Sequence, residues 1–193
     1  ERLELGEAVA RALQPVVEVF LDVGPGIELA EAEPGRQLAG DPPVRLLVVR
    51  GRHDRLAQRA QALKIPVCVQ HDAKLVPGSD IADGTELIVA AHTHARITND
   101  ALAKSRLGGV GYHPSLLPRH RGIAAVEWTI KCGDAIAGGS IYHLADRWDA
   151  GAIAAQDWRF VKPGETAREL WERALAPLGI RLLAQVVAEA SRT

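Results

Sequence analysis

The chain contains no methionine, not even at residue 1, and only two cysteines. The missing initiator reads as a processed or recombinant fragment, or as a chain whose methionines are modified, and leaves the N-terminus suspect. Cys68 and Cys132 stand alone in the sequence, so they form neither a disulfide framework nor a metal-ligand spacing. Two isolated thiols suit a reducing compartment, and a cytoplasmic protein is expected. Net charge is lacking too: 23 Lys and Arg oppose 24 Asp and Glu, for a formal charge of −1. Interspersed charges of both signs do not build the concentrated basic field that releases counterions from nucleic acid, so no nucleic-acid partner is expected. No apolar run approaches the ~20 residues that span a bilayer, and no secretory signal opens the chain, so no membrane partner is expected either. Oligomeric state is not legible from the sequence.

What remains is an ordinary globular composition, 47% hydrophobic and 24% charged over 193 residues. Such a chain buries a sizeable core without disulfides or metals, and residues 1–193 read as a single domain. Short β-branched runs alternate with helical patterns, the signature of βαβ units and a mostly parallel sheet. Residues 4–13 read as a helix, 16–23 as a strand, 25–43 as a loop rich in Gly, Pro and Glu, and 44–49 as a buried strand. Asp54 is placed to cap a helix running to Lys64, because its carboxylate accepts first-turn amides. Further strands are expected at 66–70, 86–91 and 109–112, with helices near 99–106 and 123–131. Strands at 138–144 and 153–161 should pair antiparallel. From Thr166 to about Ala190, Trp171, Leu175, Leu178, Leu182 and Val186 recur every three or four residues, so one helical face is apolar. Pro177 should kink or break that helix, since it lacks an amide donor and crowds the preceding turn.

The chemistry concentrates between Gly109 and Gln156. His113 follows a strand at its carboxyl end, where open α/β sheets place their ligands. Asp149 sits beside glycine in a loop between two strands, able to reach the same crevice. A carboxylate orients an imidazole and favours its charged form, which lets the ring exchange protons near neutrality.

The segments HPSLLPRHRG, WTIKCGD, GGS and DAGAIAAQ, read together, closely resemble the folate-dependent formyltransferases, a family that includes glycinamide-ribonucleotide, methionyl-tRNA and sugar-nucleotide formyltransferases. The resemblance continues more loosely through Thr166, Leu170, Leu178-Gly179 and Leu182-Leu183. It implies a doubly wound, mostly parallel α/β sheet of Rossmann-like formyltransferase type, and leaves open that the first strand is missing, since no strand precedes the opening helix. It implies transfer of a formyl group from 10-formyltetrahydrofolate, as donor, to an amine. His113 matches the histidine of the family's Asn-x-His motif and Asp149 its aspartate, so these two are the implied catalytic pair. Ser115, Leu116 and Leu117 would line or support the pocket, and the loop with Trp148 and Gly151 would lie against the pterin.

The chain departs from the family two residues before the histidine. There the family has an asparagine that helps hold the formyl oxygen, and this chain has Gly111. Losing one oxyanion donor typically costs ~10²–10³ in kcat, so another group must substitute, the reaction must differ, or the site must be inactive. His94, His92 and His143, in that order, are the candidate substitutes, with Tyr112 beside the motif. His92 and His94 also form a His-x-His of the kind that binds metals, but the family uses none and no metal is expected. Arg119, His120 and Arg121 read as a basic rim for an anionic substrate or the folate tail. The chain lacks the C-terminal extension that methionyl-tRNA formyltransferases use, so a small-molecule amine is the expected acceptor. A formyl-folate or formyl-compound hydrolase, and a non-catalytic folate- or nucleotide-binding module, are the alternatives.

Overall fold

The computed structural model describes residues 17–21, 45–48, 55–62, 64, 67–69, 72, 74–91 and 93–192. In chain order the strands are β1 (Val17–Leu21), β2 (Arg45–Val48), β3 (Val67–Val69), β4 (Leu75–Val76), β5 (Leu87–Ala91), β6 (Arg96–Ile97), β7 (Gly109–His113), β8 (Ile136–His143) and β9 (Ile153–Phe160). The helices are α1 (Arg55–Ala62), α2 (Asn99–Ala103), α3 (Ala125–Lys131), α4 (Ala167–Leu170) and α5 (Ala176–Ala190), the last two joined by a π-helical turn over Trp171–Leu175. Seven strands form one sheet in the order β3-β2-β1-β5-β7-β8-β9. Pairing is parallel from β3 through β7 and antiparallel between β7, β8 and β9. The fold is therefore the expected α/β arrangement with a mostly parallel sheet. β1, the earliest described strand, lies in the middle of that sheet. The helix expected over residues 4–13 and the loop over 25–43 lie outside the described residues.

Strand alternation divides the core into two layers. Leu87, Val89 and Ala91 of β5 join Val110, Tyr112 and Ile141 against Leu170, Leu175, Leu178 and Leu182 of the C-terminal helical segment. Ile88 and Ala90, pointing the other way, pack with Val76, Ile81, Ile97 and Ala101. Helices α5 and α2 thus cover opposite faces, as a doubly wound sheet requires. The sequence reading did not anticipate the small parallel pair β4–β6 that completes the second layer. Its strands are two residues each, too short for a period-2 pattern to register.

The C-terminal helix resolves the conflict set by Pro177. Thr166 opens it with a capping box: its side chain accepts from the Glu169 amide, and the Glu169 carboxylate accepts from the Thr166 amide. The turn before the proline then widens, with the Ala176 amide reaching back to the Trp171 carbonyl. Pro177 enters within the first two positions of α5, where a missing amide costs little. The helix therefore continues through a π-helical turn instead of breaking.

Candidate active site

β7 ends at His113, at the carboxyl end of the parallel part of the sheet. In the β7–β8 ladder His113 lies opposite Ser140 and Gly111 opposite Tyr142. Directly paired residues project on the same side of a sheet, so these four share one face. Tyr112 and Ile141 project on the other, beneath the C-terminal helix. There the Tyr112 hydroxyl donates to the Leu175 carbonyl at 2.6 Å, a structural contact.

The connection from β8 to β9 folds back over the first face. Asp149 takes a left-handed backbone conformation in it, φ 49°. Its Oδ2 accepts from the Gly122 amide at 2.8 Å and stands 3.5 Å from His113 Nδ1. Both side chains are buried. The other ring nitrogen, Nε2, donates at 2.7 Å to the His120 carbonyl, which can only accept. With Nε2 turned to a carbonyl, Nδ1 is the ring nitrogen that faces the carboxylate.

Gly151 makes this loop possible. A Cβ there would lie 1.7 Å from the His143 carbonyl oxygen, so only glycine lets the loop close against β8. The segment after His113 is pinned from below by Ser140, which is fully buried. Its hydroxyl donates to the Ser115 carbonyl at 2.6 Å and accepts from the Leu117 amide at 3.0 Å and Gln156 Nε2 at 2.7 Å. Gln156 also donates to the Leu117 carbonyl. Ser115, in turn, donates its hydroxyl to the Arg119 carbonyl. Ser115 and Leu117 are thereby support for the His113 turn, while Leu116 lies over Gly138.

Of the expected basic rim, Arg119 and His120 both bind Asp134, with His120 Nε2 2.7 Å and Arg119 Nε 2.9 Å from its Oδ2. Burial opposes charge on Asp134, but hydrogen bonds from Arg119 and His120 prevail and hold its carboxyl below the ordinary range. Much of the rim's charge is thus matched internally, while Arg121 is exposed. A hollow of about 330 Å³ beside this cluster is lined by Ser115, Leu116, Arg119, His120, Asp134 and Gly138 among others, but not by His113 or Asp149. The hollow therefore adjoins the buried His–Asp pair without including it.

Of the expected substitutes for the missing amide, two fall within the described residues. His94 is exposed beyond β5. His143 is exposed at the end of β8 and, one residue on from Tyr142, projects on the opposite face from His113. His92 lies outside the described residues. What does occupy the space at Gly111 is Tyr142. A Cβ on Gly111 would lie 2.9 Å from Tyr142 Cζ, 3.0 Å from its Cε1 and 3.0 Å from Leu144 Cδ2. Burial raises the Tyr142 phenol far above its ordinary pKa, and the charge of Asp149, together with a hydrogen bond to it, raises it further. Trp148, next to Asp149, is 55% exposed on the loop. Among the described residues no group of three or more His, Cys, Asp or Glu converges to hold a metal, and no helix is long and apolar enough to cross a membrane.

The structure is a mostly parallel α/β sheet carrying a buried His–Asp pair at its carboxyl edge. The particular family follows from comparison with known proteins. The formyl transferase family model matches residues 40–187. The chain belongs to that family. It is 40% identical over 104 residues to mitochondrial 10-formyltetrahydrofolate dehydrogenase of Mus musculus, covering 54% of this chain and 11% of that protein. It is 34% identical over 97 residues to GDP-perosamine N-formyltransferase of Brucella melitensis, covering 50% of this chain and 38% of that protein. The chain thus spans about a tenth of the dehydrogenase. The crystal structure of phosphoribosylglycinamide formyltransferase from Bacillus Halodurans superposes with a TM-score of 0.68 at 18% identity, covering 91% of this chain and 94% of that one, which speaks for the fold.

Proposed function

We propose that this chain binds 10-formyltetrahydrofolate and moves its formyl group to the amine of a small molecule, with His113 and Asp149 as the catalytic pair. The observation that carries this is the buried pair itself, Nδ1 to Oδ2 3.5 Å, with Nε2 committed to a carbonyl. The amine's lone pair forms a bond to the formyl carbon while the carbonyl pair moves onto oxygen. Collapse of that intermediate breaks the carbon–N10 bond, and N10 receives the proton that the amine loses. His113 Nδ1 carries the proton between them, and Asp149 stabilises the imidazolium formed on the way. Atoms balance as formylated amine plus tetrahydrofolate.

The donor assignment draws on the names of the relatives, a 10-formyltetrahydrofolate dehydrogenase and an N-formyltransferase. Residues 1–193 are taken as one catalytic domain, and the loop bearing Trp148 and Gly151, with the strand end at His94, as the folate-facing surface. A cytoplasmic location fits the exposed, unpaired Cys68 and Cys132.

Hydrolysis is the second reading, and Gly111 favours it: without the family's amide, water in place of the amine would yield formate and tetrahydrofolate by the same proton route. The deciding experiment incubates the protein with 10-formyltetrahydrofolate, alone and with a panel of small amines. Tetrahydrofolate release that depends on an amine supports transfer, and release with formate in its absence supports hydrolysis. His113→Asn and Asp149→Asn should each lower the rate by ~10²–10⁴. No saturable binding of the folate at millimolar concentration would overturn both readings.

A further inference from the structure

We infer that the phenolic hydroxyl of Tyr142, whose ring fills the space that Gly111 leaves vacant on the neighbouring strand, is the hydrogen-bond donor to the formyl oxygen. The inference rests on the formyl-transfer or hydrolysis chemistry proposed above, in which the carbonyl oxygen gains negative charge as the nucleophile adds. Such a site requires a donor aimed at that oxygen, and among the described residues three donors on this face are already committed. His113 Nε2 is held by the His120 carbonyl, the Gly122 amide by Asp149, and the Ser140 hydroxyl by the Ser115 carbonyl. Gly111 has no side chain to offer.

Tyr142 lies directly opposite Gly111 in the β7–β8 ladder, and its ring reaches across the pair. The position a Cβ would take at 111 is 2.9 Å from Cζ, the ring carbon that carries the hydroxyl. The ring edge therefore fills the volume that the first atoms of a residue-111 side chain would occupy, and the hydroxyl, one bond beyond Cζ, borders it. Glycine at 111 and tyrosine at 142 are two halves of one arrangement: a larger residue at 111 would evict the ring. Tyr142 is 7% exposed, so its hydroxyl works away from bulk water, where a hydrogen bond to a developing anion is strong. The Asp149 carboxylate acts on it at rest. When substrate enters, the hydroxyl turns to the formyl oxygen, and Asp149 is left to His113. Burial keeps the phenol protonated throughout, so it donates without becoming an acid that loses its proton.

The test compares turnover of 10-formyltetrahydrofolate and its binding, by calorimetry, in the parent and four altered proteins. Tyr142→Phe removes one oxygen and keeps the ring. It should lower kcat about 10²–10³-fold with folate affinity within a few-fold of the parent. Tyr142→Val should be comparably slow. Tyr142→Val combined with Gly111→Asn, which places an amide in the space the ring has left, should recover at least ten-fold over Tyr142→Val alone. A residue that only held Asp149 in place would not be rescued by an amide on the opposite strand. Replacing Tyr142 with 3-fluorotyrosine keeps the ring's packing and strengthens the donor, so kcat should change even if the Phe variant folds poorly. Unchanged kcat in Tyr142→Phe or the fluorotyrosine protein, or no recovery in the double variant, overturns the assignment. The parent protein is the control for the underlying reading: if it neither binds nor turns over the folate, the proposed function itself is wrong, and the donor role falls with it.

Discussion

Replacing Ser140 with alanine should destabilise the protein out of proportion to the single oxygen removed. The Ser140 hydroxyl is fully buried and makes three hydrogen bonds, to the Ser115 carbonyl, the Leu117 amide and Gln156 Nε2. Gln156 retains its bond to the Leu117 carbonyl when the hydroxyl is lost. The Ser115 carbonyl and the Leu117 amide lose theirs, and both belong to buried residues. At about 1–3 kcal/mol for each of the two buried groups left without a partner, the cost is roughly 2–6 kcal/mol. For a chain of this size each kcal/mol lowers Tm by about 2–4 °C, so a fall of roughly 4–24 °C is expected. Thermal and urea unfolding followed by circular dichroism would measure it, with an unchanged urea slope confirming that stability alone moved. The His113 turn would also loosen, and turnover should fall with it. A Tm within ~2 °C of the parent would refute the reasoning, because it would mean that the two backbone groups find other partners at no cost.

Two other substitutions probe the loop and the C-terminal helix. Gly151→Ala would drive a Cβ to 1.7 Å from the His143 carbonyl oxygen, so the loop must move and carry Asp149 with it. A loss of about 1–3 kcal/mol together with at least a ten-fold loss of turnover is expected, and parental values of both Tm and kcat would contradict the packing described. Glu165 is held down at about 2 by hydrogen bonds from the Arg173 guanidinium, against the opposing effect of burial, with help from the Lys162 amide. Because that value lies below the ordinary one, the stabilisation is present above about pH 4.5 and is lost as the pH falls toward 2. Glu165→Gln should therefore cost on the order of 1 kcal/mol at pH 7, after solvent screening, and nearly nothing at pH 2. A penalty independent of pH, measured by urea unfolding across that range, would assign the effect to packing.

From residue 86 onward the sequence by itself determined the longer strands and helices, because period-2 and period-3.6 patterns are local, but not the two-residue strand β6. It also determined that His113 and Asp149 were the residues to watch, through a long motif and not through any property of an isolated His or Asp. The difficulty at Pro177 was local too, although only the structure showed it relieved by a π-helical turn, in a helix opened by a capping box at Thr166. Register was not local. β7 and β8 are separated by the His113 turn and α3, and a one-residue slip between them would exchange the faces of every side chain. Only the tertiary structure therefore decided that Tyr142, and neither His94 nor His143, stands over Gly111. The same non-local pairing folds the loop after His143 back onto the sheet and carries Asp149 to His113. A sequence lists the side chains a site can use; which of them share a face depends on how distant strands align, and that alignment is set by the packing of the whole sheet.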